Sequence, residues 1–232
     1  MIKVCTLEVM IDDLFNETHK RKDRSIASYF GDGVELTFAA GETVINGFDE
    51  PDGVYLIKEG FIKAHSTSED GHANLLLILE AGEIMPLPWA LDGFHVTGLF
   101  YEALSDVTVM RTPKYKLRLA MGNNMWLTQE ILNQAVNVIA IYTRRIQILE
   151  FRSARGRVIA EMIFLADRFG KSSSGGIAVD APITHQDIAD SINMNRETAS
   201  RALELLAEEG LIMQEAHLFI IPNLEKLKQA LS

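Results

Sequence analysis

Between Gly122 and Gly156 the chain contains neither glycine nor proline. Glycine and proline are the residues that most often stop a helix, so a helix can run here for about 27 residues, roughly 40 Å at 1.5 Å per residue. Asn123 or Asn124 can cap its start. Met125, Thr128, Leu132, Ala135, Ile139, Tyr142, Ile146 and Leu149 fall on alternating a and d positions of a heptad. A second apolar row, Ile131, Val138, Ile141 and Ile148, lies beside it. One domain rarely covers two apolar stripes on so long a helix. One row is therefore expected to pack on the chain's own core. The other, Leu132, Ala135, Ile139, Tyr142, Ile146 and Leu149, is expected to meet a second copy in a parallel homodimer; a core helix without a partner is the alternative.

The segments on either side differ in texture. From Val34 to Arg111, short apolar runs are punctuated by glycine at Gly41, Gly47, Gly53, Gly60, Gly71 and Gly82. Val34-Glu35-Leu36-Thr37-Phe38 alternates, Lys58-Glu59-Gly60 separates two apolar runs, and Asp70-Gly71 fits a hairpin turn with positive φ. Leu75 to Leu79 is continuously apolar and suits a strand buried on both faces. Many short strands with turns about every ten residues predict a sandwich or barrel. Thr112-Pro113 then reads as a helix start, with threonine as cap. Arg152 to Phe169 reads as a helix, Lys171 to Gly176 as a flexible turn, and Ile177 to Val179 as a short strand. The cluster His19-Lys20-Arg21-Lys22-Asp23-Arg24 reads as a solvated face or loop, with a DNA- or partner-contacting arm as the other reading.

Pro182 to Met213 carries the most chemistry. Thr184 can cap a short helix and Asp187, three residues on, can reach back to the cap. Asn193 tolerates a left-handed turn, Asn195 can cap a second helix, and Gly210 can stop it. Two short helices joined by such a turn make a helix-turn-helix. Leu211-Ile212-Met213 and Leu218-Phe219-Ile220-Ile221 can form a β-hairpin wing, with a turn at Glu215-Ala216, and Asn223 can cap a final helix. The second helix opens with Arg196, Glu197, Thr198, Ser200 and Arg201. Glu197 and Arg201 are four apart and share a face. Arginine can bond guanine O6 and N7, glutamate can accept from cytosine N4, and Thr198 and Ser200 can reach phosphate oxygens. The plain alternative is a surface Glu–Arg pair.

Composition sets bounds. Net charge is −10, which argues against a nonspecific nucleic-acid coat or a binder of anionic membranes. From Arg152 to Ser232 there are nine Lys/Arg against eleven Asp/Glu. DNA binding must then rest on segregated charge and should be salt-sensitive. One cysteine, Cys5, excludes a disulfide framework and a four-cysteine iron–sulfur cluster within one chain. No apolar run has membrane-spanning length and the first ten residues do not read as a signal peptide, so a reducing, cytoplasmic setting is expected. No phosphate-cradling glycine loop, metal-ligand cluster or nucleophile motif is present, so an enzyme is not expected.

The blocks Ala40-Gly41-Glu42-Thr43-Val44-Ile45, Asp52 to Lys63, Glu69-Asp70-Gly71 and Ala81-Gly82-Glu83, with Ile183 to Ala189, Asn195 to Leu203 and Glu208 to Ile212, resemble the cyclic-AMP receptor protein / fumarate-nitrate regulator family of bacterial transcription factors. The resemblance runs from about Val34 to the end. It implies an α+β chain: a β-roll (double-stranded β-helix, or jelly-roll) sensor domain over residues 1–115, a long dimerisation helix over 116–152, and a winged helix-turn-helix over 153–232. It implies that Glu197 and Arg201 read bases, with Arg196, Thr198, Ser200, Thr184 and His185 on the same DNA surface. Arg196 fits the cyclic-AMP receptor branch and Ser200 the fumarate-nitrate branch. It further implies palindromic DNA with half-sites that contain TGA, about one helical turn apart, and RNA polymerase as a partner.

The chain also departs from the family. Members that bind cyclic nucleotides hold the phosphate with a short helix after Gly-Glu and an Arg-Ser pair about ten residues on. Here that stretch is Gly82 to Leu91 with Pro86 and Pro88 expected to interrupt the helix, and no arginine occurs between Arg24 and Arg111. The loop from Ile45 to Tyr55 is one residue shorter than the family's usual form. A cyclic nucleotide is therefore disfavoured and a different small organic effector is expected. Haem held by His19, His65, His72, His95 or Cys5 is an alternative, as are a redox role for Cys5, a regulator without ligand, and a sensing module whose helix-turn-helix contacts protein rather than DNA.

Overall fold

The computed structural model describes residues 25–68, 71, 73–91, 93, 96–215 and 218–231. Cys5, His19, His72, His95, the cluster from His19 to Arg24, Asp70 of the expected hairpin turn and Ala216 of the expected wing turn lie outside the described residues.

A 3₁₀ turn, Ile26–Tyr29, leads into eight strands: β1 (Val34–Phe38), β2 (Thr43–Ile45), β3 (Val54–Glu59), β4 (Ile62–Thr67), β5 (Ala73–Leu79), β6 (Ile84–Met85), β7 (Leu99–Ala103) and β8 (Val107–Thr112). They form two antiparallel four-stranded sheets, ordered β1-β8-β3-β6 and β2-β7-β4-β5. Tyr55 and Ile57 of one sheet and Ile62, Ala64 and Leu77 of the other belong to one buried cluster. The turn at Gly60 therefore does not close a hairpin but carries the chain from one sheet to the other. Gly60 has φ +87°, and a Cβ there would stand 2.3 Å from the Asp106 carbonyl oxygen, so the corner demands glycine. The pairing of β4 with β5 is the expected hairpin, with Gly71 at φ +79°.

Two helix starts differ from the expectation. Thr112 ends β8 and is buried, and Pro113 takes the cap position of α2 (Lys114–Asn123). Pro86 and Pro88 do not interrupt a helix: α1 (Leu87–Ala90) begins directly after Pro86, with Pro88 in its first turn. Amides of a first turn have no partner four residues back, so proline loses nothing there.

The long helix, α3 (Met125–Glu150), has 26 residues, and Asn124 caps it by accepting from the Leu127 amide at 3.1 Å. Its two rows part as anticipated. Ile131, Ile141 and Ile148 are at most 3% exposed, while Leu132 is 58%, Ile139 64% and Ile146 64% exposed. Leu149 is exposed too, and Ala135 and Tyr142 are half-buried.

The remaining chain folds around α4 (Ala154–Phe169), capped by Ser153 and buried along Val158, Ile159, Met162, Ile163 and Leu165. The stretch read as a flexible turn is mostly strand. β9 (Gly170–Ser173) pairs with β10 (Gly176–Val179), which leaves only Ser174-Gly175 to turn. A polar edge strand shows no alternation to betray it. α5 (His185–Ser191) and α6 (Arg196–Glu208) follow, then β11 (Met213–Glu215), β12 (Leu218–Ile221) and α7 (Leu224–Gln229). The third sheet is ordered β11-β12-β10-β9.

Roll and carboxyl-terminal unit share one apolar core. Phe61 meets Phe169 edge-on at 5.8 Å, and α5 lies on β5, which accounts for the continuously apolar run from Leu75 to Leu79. At the junction with α3, Arg145 is buried, lies 3.5 Å from Glu161 of α4 and donates to the Ser191 carbonyl at 3.4 Å. Burial pushes this guanidinium below its ordinary value. Lys63 of β4 reaches Glu102 at 3.0 Å and Asp187 of α5 at 3.5 Å. Burial works against its charge, but the hydrogen bond to Glu102 and the field of Asp187 outweigh that and raise its pKa.

Candidate nucleic-acid interface and effector pocket

The helix-turn-helix is built by local bonds that the sequence encodes. Thr184 accepts from the Asp187 amide at 3.2 Å while Asp187 Oδ2 accepts from the Thr184 amide at 2.9 Å, a complete capping box. Asn193 adopts φ +52°, the only non-glycine left-handed residue among those described. Asn195 Oδ1 accepts from the Thr198 amide at 2.8 Å and starts α6. Ala199, Ala202, Leu203 and Leu206 bury the inner face, and Gly210 at φ +69° ends the helix. An element fixed at both ends and along one face can hold side chains for groove contact without further ordering.

The opposite face of α6 carries Arg196, Glu197, Thr198 and Arg201, all exposed. Among the described residues no ion pair joins Glu197 to Arg201. Four other basic residues of this unit are paired nearby: Arg155 grips Glu209 at 2.7 and 2.8 Å, Arg168 reaches Glu83 at 3.2 Å, Lys171 pairs with Asp180, and Lys228 lies 3.6 Å from Glu225. Arg196 and Arg201 carry no such pair among the described residues, so their charge stays on the exposed face of α6. Thr184 is exposed, but its hydroxyl serves the cap of α5. His185 is half-buried, with its ring between Ser200 of α6 and Gln214 of the wing. The family resemblance implied that both share a surface with Glu197 and Arg201, but nothing in the sequence showed this tie, which spans fifteen and twenty-nine residues and has no local signature.

The roll holds a second candidate site. Ile45, Pro86, Pro88, Trp89, Leu99 and Tyr101 line a pocket beside α1 whose free volume is only about 10 Å³, room for one water at most. Among the described residues no charged side chain lines it, and the Lys114 ammonium lies over the ring of Trp89 at 4.6 Å from its centroid. Burial holds the Tyr101 hydroxyl well above its ordinary range, so it stays neutral. Arg111 pairs with Asp52, which also takes the Tyr55 hydroxyl; burial, with that bond, pushes Tyr55 up to about 12. His65 stacks on Phe100 with ring centroids 5.6 Å apart, and its Nδ1 is buried without a partner. No group of three His, Cys, Asp or Glu able to hold a metal occurs among the described residues, and no helix among them is long and apolar enough to cross a membrane.

Comparison with known proteins agrees with this architecture. Residues 35–124 match the cyclic nucleotide-binding domain, and residues 156–230 match the Crp-like helix-turn-helix domain. The CRP-like cAMP-activated global transcriptional regulator of Mycobacterium tuberculosis is 25% identical over 192 residues, 83% of this chain and 85% of that protein. The global nitrogen regulator of Nostoc sp. is 25% identical over 178 residues, 76% of this chain and 79% of that protein. Among solved structures, a CooA mutant from Carboxydothermus hydrogenoformans superposes with a TM-score of 0.74 at 20% identity, over 93% of this chain and 94% of that one. With both family domains in the expected order, and regulators rather than enzymes among its relatives, the chain belongs to the cyclic-AMP receptor protein / fumarate-nitrate regulator (Crp/Fnr) family of DNA-binding transcription regulators.

Proposed function

We propose that the chain acts in the cytoplasm as a homodimer, reads a palindromic operator with α6 of each subunit, and answers to a small organic effector that lacks a phosphodiester. The observation that carries the DNA reading is the Arg196-Glu197-Arg201 face: exposed, without internal ion pairs, and set on a helix whose cap, inner face and stop are all satisfied. Glu197 and Arg201 are its base readers. Arg196 and Thr198 lie beside them for phosphate contact, and RNA polymerase is the protein partner that a regulator of this kind would recruit.

The bare row on α3 supports the dimer. Leu132, Ile139 and Ile146 repeat every seven residues, about 10.5 Å apart along the helix, and stand in solvent in the single chain. A second copy is the partner whose stripe matches in spacing and chemistry. The 1–115, 116–152 and 153–232 division belongs to the same reading, with the middle part as seam and lever. The effector reading rests on the roll pocket. A phosphate removed from water needs a fixed cation, and the residues lining this pocket are uncharged. Its apolar wall of prolines, Trp89 and Tyr101 suits an uncharged organic molecule that displaces those side chains.

The test is a titration of a palindromic duplex, obtained by selection from random sequence, at several salt concentrations. Tight binding that falls steeply with salt, with little binding to scrambled duplex, is the expected result. Equal binding to both duplexes would sink sequence reading by α6. Absorbance and native mass spectra of the purified protein test the effector: a Soret band would replace the organic effector with haem.

A further inference from the structure

His185 opens α5, yet its ring joins three elements of the DNA-binding unit. Nδ1 lies 2.9 Å from Ser200 Oγ on α6, Nε2 lies 3.3 Å from Gln214 Oε1 on β11, and the ring stacks on Phe219 of β12 with centroids 5.7 Å apart and planes 26° from parallel. With the Gln214 amide turned so that Oε1 faces the ring, Nε2 carries the ring proton, because an amide oxygen only accepts. A neutral imidazole then has a bare Nδ1, and the Ser200 hydroxyl donates to it. A hydroxyl has one proton, so Ser200 is left with only lone pairs to offer outward.

Resting on the reading of α6 as the base-reading helix, we propose that His185 is a positioning residue for specificity: it fixes Ser200 as an acceptor and so selects the base step that Ser200 faces. An acceptor pairs with the major-groove amino group of adenine or cytosine, and not with guanine O6 and N7 or thymine O4. It also has no proton for a phosphate oxygen. The phosphate contact that the sequence allowed for Ser200 is thereby withdrawn, and Ser200 joins Glu197 and Arg201, three residues before it and one after, as a reader of bases.

The experiment uses the full-length protein and its selected operator. The step read by Ser200 is the one where Ser200→Ala loses discrimination. Duplexes with each of the four base pairs at that step, in both half-sites, are titrated with wild type, His185→Phe, His185→Asn, Ser200→Ala and the double variant His185→Phe/Ser200→Ala. Wild type should favour the pairs that present an amino group to Ser200 by about fivefold. His185→Phe keeps the stack on Phe219 but offers no acceptor, and should lose that preference at this step alone. His185→Asn places Oδ1 where Nδ1 stood and should restore most of it. The double variant should match Ser200→Ala.

Several results would overturn the proposal. They are a wild-type preference for guanine or thymine facing Ser200, an unchanged preference in His185→Phe, or a loss spread equally over every step, which would mark His185 as a support of the fold. Ser200→Ala without effect at any step would do the same. Failure of the wild type to select any sequence would instead bring down the assignment of α6, and the proposal with it.

Discussion

The two ends of this chain have treated their inherited chemistry differently. At the carboxyl-terminal end, the capping box of Thr184 and Asp187, the left-handed Asn193, the Asn195 cap and the exposed Glu197 and Arg201 stand together, so both the frame of a helix-turn-helix and a free charged face on its second helix are in place. At the amino-terminal end the frame is in place, while the described residues beside its short helix offer no charge. The roll closes with its two four-stranded sheets and a short helix after Gly82-Glu83, and the described side chains that line the space beside that helix are uncharged. A fold needs apolar volume and turns, which many side chains supply; a site needs particular groups at particular points. The roll's strands can therefore persist while its ligand changes, whereas a reading helix is expected to lose discrimination when a single arginine goes.

The largest effect should come from separating two copies of the reading end without touching either face. Ile139 is 64% exposed in the middle of the bare row of α3, so Ile139→Glu leaves the core of one chain intact and places a charge in the seam. Two half-sites engaged together gain about 10²–10⁴-fold over one. Ile139→Glu should sediment as a folded monomer and lose at least the lower figure in operator affinity. A folded monomer that binds the full operator as wild type does would show that one recognition helix suffices, and the comparison of the two ends would need no dimer.

Arg201→Ala should cost about 1–3 kcal/mol and relax discrimination at one base step in each half-site. A gel-shift titration against the operator and its single-step variants measures both. If affinity falls equally on every sequence, Arg201 is a phosphate contact and the reading face is narrower than drawn here.

Much of this was legible in the residues because it depends on local signals. Each cap of the helix-turn-helix is a short polar side chain three residues from the amide it satisfies, and the two rows of α3 follow from a period of seven. What stayed hidden depends on distance or on the absence of pattern. Gly170 to Ser173 is a polar edge strand, and only its partner Gly176–Val179 shows what it is. The prolines at 86 and 88 look like helix breakers until the helix is seen to start there. The resemblance put His185 on the DNA surface, but its tie to Ser200 and Gln214 stayed hidden, because they reach it only through the fold.

The smallest expected effect is none, and it sharpens the comparison most. Cyclic AMP is the effector named for one relative of this chain, and the matching domain is a cyclic nucleotide-binding domain, so a fold-level argument predicts binding. The chemistry predicts otherwise. Binding would take a phosphodiester out of water and seat it against Pro86, Pro88 and Trp89, with no cation among the described residues that line the pocket and with the Lys114 ammonium engaged over the Trp89 ring at 4.6 Å. Arg111, the nearest arginine in sequence, is already held by Asp52. An ion that leaves water without a partner loses several kcal/mol, more than the roughly 4 kcal/mol that a millimolar complex releases. Cyclic AMP at about 1 mM should therefore leave operator affinity unchanged and give no heat on mixing. A measurable response would mean that Arg111 leaves Asp52 to meet the phosphate, and the roll would then have kept its inherited chemistry by a different arginine.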